Sequence, residues 1–140
     1  HFSIPFTRKI TPLKDFISLF RLVLLLRKIK PHIVHTHTPK AGLIGMLASW
    51  ICRVPVRLHT VAGLPLMEKS GLTKRLLLFT ESITYKCAHK VYPNSTGLLK
   101  FMEQHFITQA NKFSLIGKGS TNGIDTDFFS TQVIDTVIVG

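Results

Sequence analysis

Residues 30–67, KPHIVHTHTPKAGLIGMLASWICRVPVRLHTVAGLPLM, read as strand, helix, strand. Behind Pro31, residues 32–37 are a short β-rich run, residues 40–52 have helical spacing, and residues 54–61 are a second β-branched run. A unit of this length is a βαβ crossover, whose strands are parallel neighbours joined right-handedly. Its polar residues gather where each strand gives way to a loop. These are His35-Thr36-His37-Thr38-Pro39-Lys40 after the first strand and His59-Thr60-Val61-Ala62-Gly63 after the second. In open α/β sheets the ligand crevice lies outside the carboxyl ends of the strands. Both clusters are therefore expected to line one cleft, with the imidazoles of His35, His37 and His59 opening onto it together.

Working outward, residues 2–6 are a brief β-like run, and a helix opens with Thr11 as N-cap and Pro12 at the first helical position. Leu13, Phe16, Ile17, Phe20, Val23, Leu24 and Ile29 recur at helical period, and Leu19, Leu22, Leu25 and Leu26 widen the stripe. Arg27, Lys28 and Lys30 complement the helix dipole before Pro31 stops the helix. Such a helix suits packing on a sheet or lying in a membrane surface, and the two are not exclusive. Within the βαβ helix, Ala41, Gly42, Gly45 and Ala48 are small enough to let it approach the sheet, or a ligand, closely. Downstream come a Gly/Pro-marked loop at 63–71, a helix at 72–88 and a strand at 90–93. A helix capped by Asn94 or Ser95 runs to His105, a strand follows at 112–116, then a glycine-rich turn at 117–125 and a β-like run at 137–140. The alternation argues for an α/β, Rossmann-like parallel sheet with helices on both faces.

The 140-residue chain fits one domain and carries a net charge of +11. The excess is uneven: in residues 1–60, Asp15 is the one acid set against Arg8, Lys9, Lys14, Arg21, Arg27, Lys28, Lys30, Lys40, Arg53 and Arg57. Such a surface attracts polyanions, whether anionic lipid, phosphorylated substrate or nucleic acid. With no RGG tract, zinc spacing or aromatic RNA-binding signature beside it, nucleic acid is not the expected partner. The longest uninterrupted apolar run, residues 22–26, is far too short to span a bilayer. Cys52 and Cys87 sit in apolar helical contexts and read as buried free thiols of a reducing compartment. The chain begins at His1 and reads as a processed or excised piece.

Residues two apart on a strand face the same way, so His35 and His37 project together. The pair suits substrate contact, a hydrogen-bonded structural role or, with His59 as a third ligand, a metal; no strand-end Asp completes a metal set. Lys40 adds a cation beside free N–H groups at a helix start, a seat for phosphate or carboxylate. His59 is a lone imidazole at a strand end, suited to structure or to acid–base work. The loop at 117–123 fails the P-loop pattern, because Lys118 is followed by Gly119 rather than Ser or Thr. It remains either a turn leaving the sheet or a ligand contact.

The pieces HTHTPKAGLIGMLA (35–48), VPVRLHTVAGLP (54–65), VYPNS (91–95) and NGIDTDFF (122–129) closely resemble the N-terminal domain of family-4 retaining glycosyltransferases, which have the GT-B fold. The nearest flavour is the bacterial capsular-polysaccharide and lipid-linked-oligosaccharide enzymes, and the likeness covers residues 6–129. It implies two Rossmann-like halves facing a cleft. A C-terminal half would bind a UDP- or other nucleotide-sugar, and this half would bind a polyprenyl-diphosphate-linked glycan at the cytoplasmic face of the membrane, with no resident cofactor and no metal. By position, the resemblance makes His59 the active-site histidine, places His35, His37, Thr38, Lys40 and Gly63 on the acceptor side, and sets Asn122 and Gly123 near the donor. The family's leading βα units and donor half are not matched. Residues 1–129 thus read as a truncated Rossmann-like domain and 130–140 as an interdomain connection or terminal tail. The chain alone is expected to be inactive, and its open sheet edge invites self-association. The rivals are a basic α/β module that holds anionic lipid or nucleic acid without chemistry, and a metal-dependent hydrolase.

Overall fold

The computed structural model of the chain describes residues 12–64, 70–117 and 119. Its elements are α1 (Pro12–Ile29), β1 (Ile33–His37), α2 (Pro39–Ile51), β2 (Val56–Val61), α3 (Gly71–Cys87), β3 (Lys90–Pro93), α4 (Thr96–His105) and a 3-10 helix, Ile107–Lys112. The strands form one parallel sheet in the order β1-β2-β3. This is the α/β, Rossmann-like architecture expected from the alternation. The run at 2–6, the turn beyond Gly119 with Asn122 and Gly123, and the tail at 130–140 lie outside the described residues.

Packing follows from strand parity. In β1, Val34 and Thr36 turn toward α2, whereas Ile33, His35 and His37 are exposed on the other side. Val34, Val61 and Val91 face a core built with Met46 of α2, Tyr85 of α3 and Met102 of α4. A smaller cluster, Val23 and Leu26 on Ala48, fastens α1 to α2. The described helices pack around the sheet through these clusters, and β1 stands at the sheet's edge among the described residues.

The strand expected at 112–116 shrinks to a single parallel bridge, Phe113 to Val91, with Ser114 N–H donating to the Val91 carbonyl at 3.0 Å. The next rung of a parallel ladder would need an N–H from residue 93, which is proline, so pairing ends there. Lys112 is also committed elsewhere. Its ammonium donates to the carbonyls of Tyr85, Lys86 and Ala88 at 3.0, 2.8 and 2.8 Å, while the Arg57 guanidinium donates to that of Cys87 at 2.6 Å. Two cations thus satisfy the orphan carbonyls and negative dipole end of α3. At the start of α4, the expected cap is Ser95, whose hydroxyl accepts the Leu98 N–H at 3.1 Å. Both cysteines are free, and no described helix is long and apolar enough to cross a membrane.

Candidate functional site

The register sets Thr36 beside His59 and His37 beside Thr60. Because neighbouring residues in a parallel pair share a face, the two strand ends carry two separate imidazole arrangements, one on each side of the sheet. On the exposed side, the rings of His35 and His37 lie 4.3 Å apart, tilted by 41°. His35 Nε2 shares a 2.8 Å hydrogen bond with Thr60 Oγ1. Partial burial, and then the neighbouring His37, hold His35 below the usual imidazole range, so it is neutral at physiological pH and able to accept or donate one bond. The His37 ring is exposed.

On the helix side, His59 is only 1% exposed. Its Nδ1 shares a 2.8 Å bond with Thr36 Oγ1, and its ring lies directly beneath Gly42. Burial, opposed by a backbone hydrogen bond with Thr36 and aided by His37 and His35, lowers it to about 4. The expected single groove with three imidazoles is therefore not what forms. His59 faces away from His37 and is covered by α2, where it ties β1 to β2 and seats the helix. Among the described residues no three metal-ligating side chains converge.

Thr38, between β1 and α2, is a β-branched residue at φ 69°, ψ 146°. That region costs of order 1–3 kcal/mol for a side chain of this shape. The turn is held by the Thr38 carbonyl, which accepts the Gly42 N–H at 2.8 Å, and it points α2 away at the exposed end of β1. Lys40 is not a bare cation at the helix start, as the sequence suggested. Its ammonium lies 2.7 Å from Asp15 Oδ1 and ties α2 to α1. Gly63 is exposed in the loop after β2, which Asn94 braces by donating from Nδ2 to the Ala62 carbonyl at 3.1 Å. The structure thus brings together His35, His37, Thr38 and Thr60 and separates His59 from them. Thr60 and Thr36, the partners that fix the imidazoles, were within the quoted clusters but carried no signal of which histidine each would meet.

Residues 1–118 match the sequence model of a family described as a glycosyl transferase 4-like domain. The chain is 38% identical over 126 residues to the capsular polysaccharide biosynthesis glycosyltransferase CapM of Staphylococcus aureus, covering 90% of this chain and 33% of that protein. It is 30% identical over 127 residues to the UDP-Gal:alpha-D-GlcNAc-diphosphoundecaprenol alpha-1,3-galactosyltransferase of Escherichia coli, covering 90% of this chain and 32% of that one. The chain thus spans about a third of the length of these relatives.

Proposed function

We propose, from the premise that this chain belongs to the glycosyl transferase 4-like family, that it forms the acceptor-binding half of a retaining glycosyltransferase. The reaction would move a sugar from a UDP- or other nucleotide-sugar to a polyprenyl-diphosphate-linked glycan in bacterial surface polysaccharide synthesis. The galactosyltransferase relative is named for such a donor and such an acceptor. The observation that carries the reading is the match itself, running through both histidine-bearing strand ends. The exposed His35–His37 pair and the strained Thr38 turn supply a polar, preorganised rim at the carboxyl end of β1, where an α/β sheet receives ligands. His37 is assigned to the acceptor glycan. His59, closed off by α2, is assigned as a positioning residue: through Thr36 it fixes the end of β1 on which His37 stands. The donor side, with Asn122 and Gly123, belongs to the same reading.

The membrane enters through α1. Leu13, Phe16, Ile17, Phe20 and Leu24 form an exposed stripe opposite the helix's buried face, with Leu13 and Phe16 82% and 70% exposed. Lys14, Arg21 and Lys28, seven residues apart, flank it. An apolar stripe beside a row of cations fits an anionic membrane surface and supports a peripheral position at the inner face of the cytoplasmic membrane.

Transfer is tested with the protein at full length, a GlcNAc-diphospho-polyprenol acceptor and a panel of UDP-sugars. His37→Ala is expected to lower kcat/KM by roughly 10- to 100-fold with an unchanged urea midpoint, since its ring is exposed. Absence of transfer from every sugar nucleotide would leave the noncatalytic anion-binding module as the better account. A His37→Ala variant as active as the parent would remove the histidine pair from the acceptor site.

A further inference from the structure

We infer that the open pocket between the C-terminal ends of α1 and α2 seats the phosphate of an anionic phospholipid headgroup. The pocket measures about 360 Å³ and lies at the end of the sheet opposite the His35–His37 pair. Leu26, Arg27 and Lys30 on the α1 side, His32 before β1, and Cys52 and Arg53 after α2 are among its lining residues, none of which is acidic. Three permanent cations, with His32 beside them, thus surround a partly apolar hollow.

The placement of two of those cations is informative. Lys30 follows α1 at φ 51° and Arg53 follows α2 at φ 54°. Just past a helix end, such left-handed positions normally go to glycine or asparagine, because any larger side chain meets a steric penalty there. The turns themselves need only backbone: Lys30 N–H donates to the Leu26 carbonyl at 2.8 Å, and Arg53 N–H to that of Trp50 at 3.0 Å. Neither turn requires a cation, yet both carry one, and both border the same hollow. The source of the phosphate follows from α1. Its exposed apolar stripe, Leu13 through Leu24, leads along the helix to Arg27 at the pocket's edge. A single helix would set apolar side chains at acyl depth and deliver cations at headgroup depth. This inference rests on the membrane reading of α1 given above, which it refines into a defined headgroup seat.

The test is vesicle co-sedimentation of the protein with phosphatidylcholine vesicles, with and without phosphatidylglycerol. The parent is expected to bind only the vesicles containing phosphatidylglycerol. The double variant Lys30→Gly/Arg53→Gly is expected to lose roughly an order of magnitude in partitioning, while its urea midpoint holds or rises because the left-handed strain is relieved. A charge-matched control, Lys86→Gln/Lys100→Gln, removes two exposed cations elsewhere and is expected to bind nearly as the parent does. If pocket and control variants lose binding equally, diffuse charge accounts for it and the pocket is not a site. If the pocket variant binds like the parent but unfolds more readily, Lys30 and Arg53 merely complement helix dipoles, and the inference fails while the membrane reading stands. Parental failure to bind any vesicle, or parity between Phe16→Ser/Phe20→Ser and the parent, removes the membrane reading itself. Inorganic phosphate that binds the parent but not the pocket variant, while both bind phosphatidylglycerol vesicles alike, would assign the pocket to free phosphate instead.

Discussion

Glu81→Gln is expected to stabilise the fold by about 3 kcal/mol above pH 7 and to leave it nearly unchanged below pH 4.5. Glu81 is 3% exposed on the core side of α3. Among the described residues neither its Oε2 nor the Tyr85 hydroxyl one turn later finds a hydrogen-bond partner. Burial raises the carboxyl from 4.5 to about 7. The native state therefore holds a proton that the unfolded chain has released, and stability falls as pH rises from 4.5 to about 7. At about 1.4 kcal/mol per pH unit the shift is worth about 3 kcal/mol. A neutral glutamine keeps the shape and removes the titration.

His59 works with the opposite sign. Its pKa falls from 6.5 to about 4 in the fold, burial being the main cause. The unfolded chain thus takes up a proton first, and stability is lost as pH falls from 6.5 to about 4. Between 4.5 and 6.5 the two slopes oppose each other and largely cancel. Urea midpoints against pH should accordingly be shallow for the parent, rise with pH in Glu81→Gln, and fall with pH in His59→Asn. Three parallel profiles would mean that neither group is held as described.

Element types were legible because they depend on local spacing. The period of α1, the proline that opens it and the β-branched runs of β1 and β2 each identify their element within a few residues. So were the small residues of α2, read as allowing close approach and found with Gly42 over His59 and Gly45 over Thr36. The site was legible only in part. Along one strand, parity is visible, and His35 and His37 do share a face. Between strands, parity depends on register, and shifting a pairing by one residue exchanges the faces. Nothing local says that Thr36, rather than His37, meets His59. Glu81 is hidden in the sequence for a similar reason. It shares α3 with exposed Leu76 and Phe79, so composition does not show which side of that helix is core. Lys40 had two uses, a ligand or Asp15, and only the packing of α1 against α2 decides between them.

The glycines give the sharpest test of how His59 is held. In an exposed helical position, glycine to alanine gains up to about 1 kcal/mol, and Gly97 of α4 should behave this way, since an added Cβ there meets nothing within 4 Å. Gly42→Ala should do the reverse. Its Cβ would collide with His59 Cε1 and fall 3.0 Å from Nδ1. That ring is buried and bonded to Thr36, so it cannot swing aside cheaply. Overpacking of this kind costs about 3 kcal/mol. The double variant Gly42→Ala/His59→Ala removes the ring and should recover more than about 1 kcal/mol relative to the sum of its singles. A Gly42→Ala midpoint as high as that of Gly97→Ala, or strict additivity in the double variant, would defeat the assignment of His59 as the seat of α2. If the coupling is found, the route to the site is short: α2 presses on His59, His59 holds Thr36, and Thr36 stands between His35 and His37 on β1. Transfer activity should then fall in Gly42→Ala even where the variant remains folded, with kcat/KM following the displaced histidine pair.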